Sequence, residues 1–387
     1  MWISGDDCDL DDFRASVERR TDARDYPHAL GTEQNVLLYD SDTLRRRTTT
    51  PGERRAVRAE LARALLDGPG IVVFKGAFED LSAVDRATVE FDGLIAEQKA
   101  RGTAAGDHFA APGANDRVWG ALDKLALRRP EVFADYYAND MIALAATAWL
   151  GPGYQITSQI NVVNPGGQAQ VAHRDYHLGF MSGEQAERFP AQAHRLAPAL
   201  TLQGAVAHCD MPVESGPTLY LPYSQTYEPG YLAFHRPEFT AYFDAHRVQL
   251  PLAKGDAAFF NPALFHGAGT NRSRDIRRMA NLLQISSAFG RAMESVDRTA
   301  MCEALFPVLR KLKSSGAGAG TLARIVAASA EGYAFPTNLD HDQPVGGPAP
   351  ETQAELIHRA LALEWDDETL AGELRARDRR RATADGA

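Results

Sequence analysis

Apolar positions recur at helical spacing in two parts of this chain and at strand spacing in the region between them. In the first part, Val57, Leu61 and Leu65 fall on one face of a helix. Thr50-Pro51-Gly52-Glu53 supplies its start: a capping hydroxyl, a proline in the first turn and a glutamate three residues on. Gly68-Pro69-Gly70 stops it, and Ile71-Val72-Val73-Phe74 reads as a buried strand. Residues 79–150 are expected to be mainly helical, with Leu122 and Leu125 on one face, Phe133, Tyr137 and Met141 on another, and Pro130 between the two helices. From about residue 154 the texture changes. Short β-leaning runs, Tyr154–Val163, Ala199–His208, Pro217–Leu221, Arg247–Leu250, Ala257–Asn261 and Met279–Ile285, alternate with Gly, Pro and Asn turns. That spacing predicts a β-sandwich or barrel. Beyond residue 290 the pattern is helical again, with a loop over Ser314–Gly320 and a helix from about Thr352 to Trp365.

The expected organisation is a capping segment over 1–49 with no clear periodicity, a main domain over 50–345 whose β core spans about 154–290, and a C-terminal helix and tail over 346–387. The basic tail from Arg375 is expected to be a frayed, solvated end. Charge narrows the function. A net charge of −10 argues against nucleic acid as a partner, because phosphates need a basic face. Three widely spaced cysteines, Cys8, Cys209 and Cys302, form no CxxC pair, which disfavours a disulfide framework or thiolate zinc site and favours a reducing compartment. The longest apolar-leaning run, Met141 to Leu150, is about half a membrane span and reads as a buried helix. The expectation is a cytoplasmic protein that acts on a small molecule, with no nucleic-acid or membrane partner and no indication of oligomeric state.

The chemistry concentrates in Val171-Ala172-His173-Arg174-Asp175-Tyr176-His177. On a strand, residues i and i+2 share a face, so His173 and Asp175 can present an imidazole and a carboxylate to one ion. A further histidine completes a facial triad that leaves three positions open, two for a bidentate 2-oxo acid and one for O2. His266 fits best, since it follows the strand-like run Ala257–Asn261 and sits beside Gly267. A buried cation is then needed for the co-substrate's distal carboxylate. Arg277, just ahead of the run Met279–Ile285, is the preferred candidate over Arg274 in the preceding turn and Arg278 on the opposite strand face.

A lone HxD is more often two polar surface residues than a metal site, and this chain holds a second one, His208-Cys209-Asp210, read as a strand end with turn-capping groups. Asn161 and Gln170 lie on or near the segment entering the HxD. They are candidate co-substrate contacts, or simply a satisfied polar pair at the barrel mouth. Trp119, Tyr176 and His177 are candidate substrate contacts, against core packing for the aromatics and a loop hydrogen bond for the histidine. Histidines 28, 108, 194, 235, 246, 341 and 358 have no motif context and are assigned to surface or core.

The HxD, the distal His266, the arginine shortly after it and the segment Glu214–Ser224 together resemble the phytanoyl-CoA dioxygenase family of iron/2-oxoglutarate oxygenases. The resemblance covers roughly residues 50–290. It implies a double-stranded β-helix, a cupin-like jelly roll, flanked by helices. It also implies Fe(II) held by His173, Asp175 and His266, with 2-oxoglutarate and O2 as co-substrates and succinate and CO2 as products. Hydroxylation of a small organic substrate is the expected outcome. The alternatives are desaturation, cyclisation or epimerisation by the same machinery, and a non-catalytic cupin-like protein that binds metal or ligand. Two positions depart from the family pattern: Ala268 stands where a small hydroxyl residue is usual, and Gln225 follows Ser224 where a histidine is usual.

Overall fold

The computed structural model describes residues 2–102 and 114–383. His108 lies outside the described residues, as does the end of the tail from residue 384. Eleven strands occur among the described residues: β1 (Gly31–Glu33), β2 (Val36–Asp40), β3 (Ile71–Lys75), β4 (Asn115–Val118), β5 (Gln155–Val163), β6 (Thr201–Ala207), β7 (Leu219–Leu221), β8 (Val248–Gln249), β9 (Ala257–Phe260), β10 (Phe265–Gly267) and β11 (Arg278–Ser286). Eight form one mixed sheet in the order β1-β2-β3-β9-β6-β11-β5-β4, in which only β2 and β3 are parallel neighbours. The other three form a small antiparallel sheet, β10-β7-β8.

Alternation along the strands sets the layers. On β3, Val72 and Phe74 join the main core beneath the helices, while Ile71 and Val73 pack with Tyr220, Leu250 and Leu264 of the small-sheet side. On β11, Met279, Leu283 and Ile285 join the helix-side core, and Arg278, Ala280, Leu282 and Gln284 line a cavity on the other face. The helices Pro51–Leu66, Asp140–Leu150 and Arg298–Ser314 all bury apolar residues in that same core. Thr50 and Glu53 close the expected capping box, and Pro130 begins a new helix after Arg128 ends the previous one. No described helix is long and apolar enough to cross a membrane.

The chain ends differ from the expectation. The N-terminal segment supplies β1 and β2 to the large sheet, and Phe13 packs against Tyr227, Phe239 and Phe265 with ring centroids 5.1–5.2 Å apart. The tail is no frayed end: a helix spans Asp367–Arg381, where Arg377 is buried and Arg377 and Arg381 both pair with Glu331. Basic residues there read as solvated because their acidic partner lies far away in sequence.

Candidate metal centre

The segment carrying the HxD is not a regular strand. His173 makes a single antiparallel bridge with His266 of β10, through backbone hydrogen bonds of 3.0 and 3.2 Å. The Asp175 amide donates to the Pro262 carbonyl at 2.9 Å. Tyr176 and His177 both take positive φ, 61° and 47°, which turns the chain away immediately after the carboxylate. Between the two ligands, Arg174 is buried and inserts between Tyr231 and Phe265, its carbon Cζ 5.1 and 5.2 Å from their ring centroids. Its guanidinium donates to the carbonyls of Ser224 and Tyr227 at 2.5 and 2.9 Å. Gly230 leaves the space for it: a Cβ there would overlap the guanidinium.

These contacts bring three donors together. Ligand atoms of His173, Asp175 and His266 lie within 4.8 Å of one another. His266 Nε2 is 3.4 Å and His173 Nε2 is 3.9 Å from Asp175 Oδ2. Each imidazole turns Nδ1 to a backbone carbonyl, His173 to Val171 at 2.9 Å and His266 to Leu264 at 2.8 Å. An Nδ1–H donated to a carbonyl leaves Nε2 as the lone pair, which is the arrangement a metal-binding imidazole needs. Burial alone would raise the Asp175 carboxyl, but the His266 hydrogen bond, the two imidazoles and Gln203 outweigh it and hold the group down at about 2. Two imidazole Nε2 atoms and one carboxylate oxygen face a common point, a donor set suited to a divalent cation with open positions.

The centre opens into a cavity of about 180 Å³ between the two sheets. Asn161, Gln170 and Trp119, candidate contacts from the sequence, line it. Gln170 Oε1 accepts from the Ala268 amide at 3.0 Å, and Asn161 Oδ1 is buried with no partner among the described residues. Trp119 lies under the Arg117 guanidinium, 4.7 Å from ring centroid to Cζ. Tyr176 and His177 are not among the lining residues. Tyr176 is buried with its hydroxyl beside the Gln203 side chain, and His177 Nε2 sits 3.4 Å from the Thr201 hydroxyl.

Arg277 does not meet the expectation. Its side chain is exposed and pairs with Asp92 at 3.0 Å on the outer surface. Arg278 lines the cavity instead, 6% exposed, and forms no ion pair among the described residues. Burial lowers its pKa to about 10. The two arginines do take opposite faces, as strand geometry requires, but β11 begins at Arg278 and turns its even-numbered side chains inward. The second HxD is structural. The His208 ring bonds the Thr88 hydroxyl at 2.8 Å and the Tyr136 hydroxyl at 2.9 Å, while Asp210 accepts from the Lys254 amide at 2.9 Å. Sequence reasoning also missed Gln203, whose side-chain amide donates to Asp175 Oδ2. Nothing in its local pattern, Thr201-Leu202-Gln203-Gly204, marks it as more than a strand residue.

No curated protein matches the chain in sequence. Among solved structures, similar ones include the non-haem α-ketoglutarate-dependent epimerase SnoN from nogalamycin biosynthesis, 21% identical over 62% of this chain and 85% of its own, with a TM-score of 0.40. The carbocyclase SnoK of the same biosynthesis is 20% identical over 59% and 83%, with a TM-score of 0.42. HygX from Streptomyces hygroscopicus, solved with nickel and 2-oxoglutarate, is 15% identical over 61% and 90%, with a TM-score of 0.41. The family model described as phytanoyl-CoA dioxygenase matches residues 46–279, a span that takes in more than half of the sequence and all three converging ligands. The chain belongs to the phytanoyl-CoA dioxygenase family.

Proposed function

We propose that this protein is an Fe(II)- and 2-oxoglutarate-dependent oxygenase of a small organic substrate, and that its two facing sheets are the halves of a double-stranded β-helix. The observation that carries the reading is the pairing of an open three-donor centre with a buried arginine, Arg278, that forms no ion pair among the described residues. A guanidinium held away from water without a counter-charge is costly, and a dicarboxylate co-substrate removes that cost.

In this reading His173, Asp175 and His266 hold the iron through two Nε2 atoms and a carboxylate oxygen. Bound iron supplies the oxidative chemistry, in which 2-oxoglutarate and O2 are converted to succinate and CO2 and a substrate C–H bond is broken. The protein contributes position. Arg278 pairs with the distal carboxylate of 2-oxoglutarate, and Asn161 Oδ1 and Gln170 border the same cavity. Trp119 and Phe180 offer aromatic surface to the substrate beside the centre. Hydroxylation is the outcome proposed. The direct test is anaerobic addition of Fe(II) and 2-oxoglutarate, followed by air. A visible charge-transfer band and then succinate formation are expected from the wild type, with both lost in His266→Ala. Wild-type band and turnover in His266→Ala would overturn the assignment.

A further inference from the structure

Gln203 stands on β6 in the middle of the large sheet, opposite Gln284 of β11 on one side and Phe260 of β9 on the other. It is 8% exposed and lines the cavity. A buried glutamine brings two donors and an acceptor into a place short of water, so each polar atom needs a partner. The amide nitrogen has one, Asp175 Oδ2. That nitrogen rather than oxygen faces Asp175 follows from the partner, because an ionised carboxylate only accepts. This orientation leaves Gln203 Oε1 buried, without a partner among the described residues.

The oxygen that Gln203 holds is also the one nearest both imidazoles, at 3.4 Å from His266 Nε2 and 3.9 Å from His173 Nε2. The terminal torsion of an aspartate is broad, so an unrestrained carboxylate could turn to present either oxygen or both. A hydrogen bond from a strand at the centre of the sheet removes that freedom. The strand is itself fixed, since β6 pairs with β9 and β11 on its two edges.

We propose that Gln203 is a positioning residue of the metal centre: its amide N–H fixes the Asp175 carboxylate with Oδ2 toward the two imidazoles, so that Asp175 binds through one oxygen and the remaining positions stay open. This rests on the triad reading above. A carboxylate free to bind through both oxygens would take a position that a bidentate co-substrate and O2 require.

The competing account is that Gln203 is a satisfied polar residue of the sheet and no more. Asn281 provides the matched control. It is a fully buried amide on β11, pointing to the opposite face, where it donates to the Tyr136 and Tyr137 hydroxyls at 3.2 Å each. Gln203→Met, Gln203→Ala and Asn281→Leu would be titrated with cobalt(II) alone, reading the dissociation constant and the visible ligand-field spectrum, with the melting temperature of each metal-free variant measured alongside. Both Gln203 variants are expected to bind cobalt about 10–100-fold more weakly, with an altered spectrum, the usual loss when a partner of a metal ligand is removed. Asn281→Leu is expected to lower the melting temperature and leave cobalt affinity within about twofold, since its lost bonds are remote from the ligands. A folded Gln203 variant with wild-type affinity and spectrum would overturn the proposal, and so would equal weakening in Asn281→Leu. His266→Ala separates the two levels of the argument. If it too keeps wild-type cobalt affinity, the triad reading fails; if it alone loses affinity, only the role of Gln203 falls.

Discussion

A guanidinium that faces a cavity without an anion costs the folded protein free energy, and among the described residues Arg278 is in that position while its neighbour Arg277 is not. This contrast gives a sharp expectation. Arg278→Leu should raise the 2-oxoglutarate requirement roughly 30- to several-thousand-fold, the equivalent of about 2–5 kcal/mol for a lost buried charge pair. Arg277→Leu should change it by no more than about threefold, because exposed pairs such as Arg277–Asp92 are worth about 1 kcal/mol or less. Pyruvate, which lacks the distal carboxylate, should lose little in either variant, so steady-state kinetics with the two oxo acids distinguishes a lost clamp from a damaged fold. The metal-free Arg278→Leu protein should be as stable as the wild type or more so, because an uncompensated buried charge has been removed. At this scale the three residues that converge were legible in the sequence and the inward-facing arginine was not. His173, Asp175 and His266 carry their chemistry in their identity and order. Which of two adjacent arginines turns inward depends on where β11 starts, and Leu282-Leu283 breaks the alternation that would have fixed its phase.

Elements position the ligands less directly than a strand-borne HxD would. With only one bridge at His173, the loop from Val171 to His177 relies on Arg174, which ties it to the Ser224–Tyr227 turn and is clasped by Tyr231 and Phe265. Arg174→Met should therefore lower stability by roughly 2–4 kcal/mol, as two buried carbonyls lose their donor. It should also weaken metal binding, which thermal melts with and without cobalt(II) would register as a smaller metal-induced shift. Gly230→Ala should act in the same direction, since the added Cβ overlaps the guanidinium. An unchanged metal-induced shift in both variants would show that the backbone bridge alone suffices. The six β-leaning runs between residues 154 and 285 all hold strands, and five of them have turn signals on both sides; Arg247–Leu250, which directly follows the helix Pro237–His246, gives only the two-residue β8. β4 escaped detection for a physical reason. Asn115, Asp116 and Arg117 are buried polar residues, Arg117 lining the cavity and Asp116 pairing with Lys99 of the helix Leu81–Ala100, so the strand lacks the apolar face that marks a strand in sequence.

Across the whole molecule, the sheet must stay docked to the helices that cover its outer face, and His208 sits at that junction. Its ring spans from the end of β6 to Thr88 on the helix Leu81–Ala100 and to Tyr136 on the helix Pro130–Tyr137. Burial, reinforced by the nearby Lys254 charge, lowers its pKa from the ordinary 6.5 to about 3. The folded form thus refuses a proton that the unfolded chain accepts. Above pH 6.5 neither form is protonated and the group has no effect on stability. Between pH 6.5 and about 3 the unfolded chain binds the extra proton, so stability falls as pH falls. Each pH unit in that window costs about 1.4 kcal/mol, or about 2 kcal/mol between pH 6.5 and 5. The same burial lowers His177, His194, His235 and His358, which add slope of the same sign, so the contribution of His208 must be read as a difference between proteins. His208→Gln, which can keep part of the bridge without the titration, should be less stable than the wild type in urea unfolding at pH 7.5. The gap between the two proteins should narrow by about 2 kcal/mol at pH 5. A constant gap across that range would mean that the His208 ring is protonated as readily in the folded protein as in the unfolded chain, and that the junction between sheet and helices is open to water.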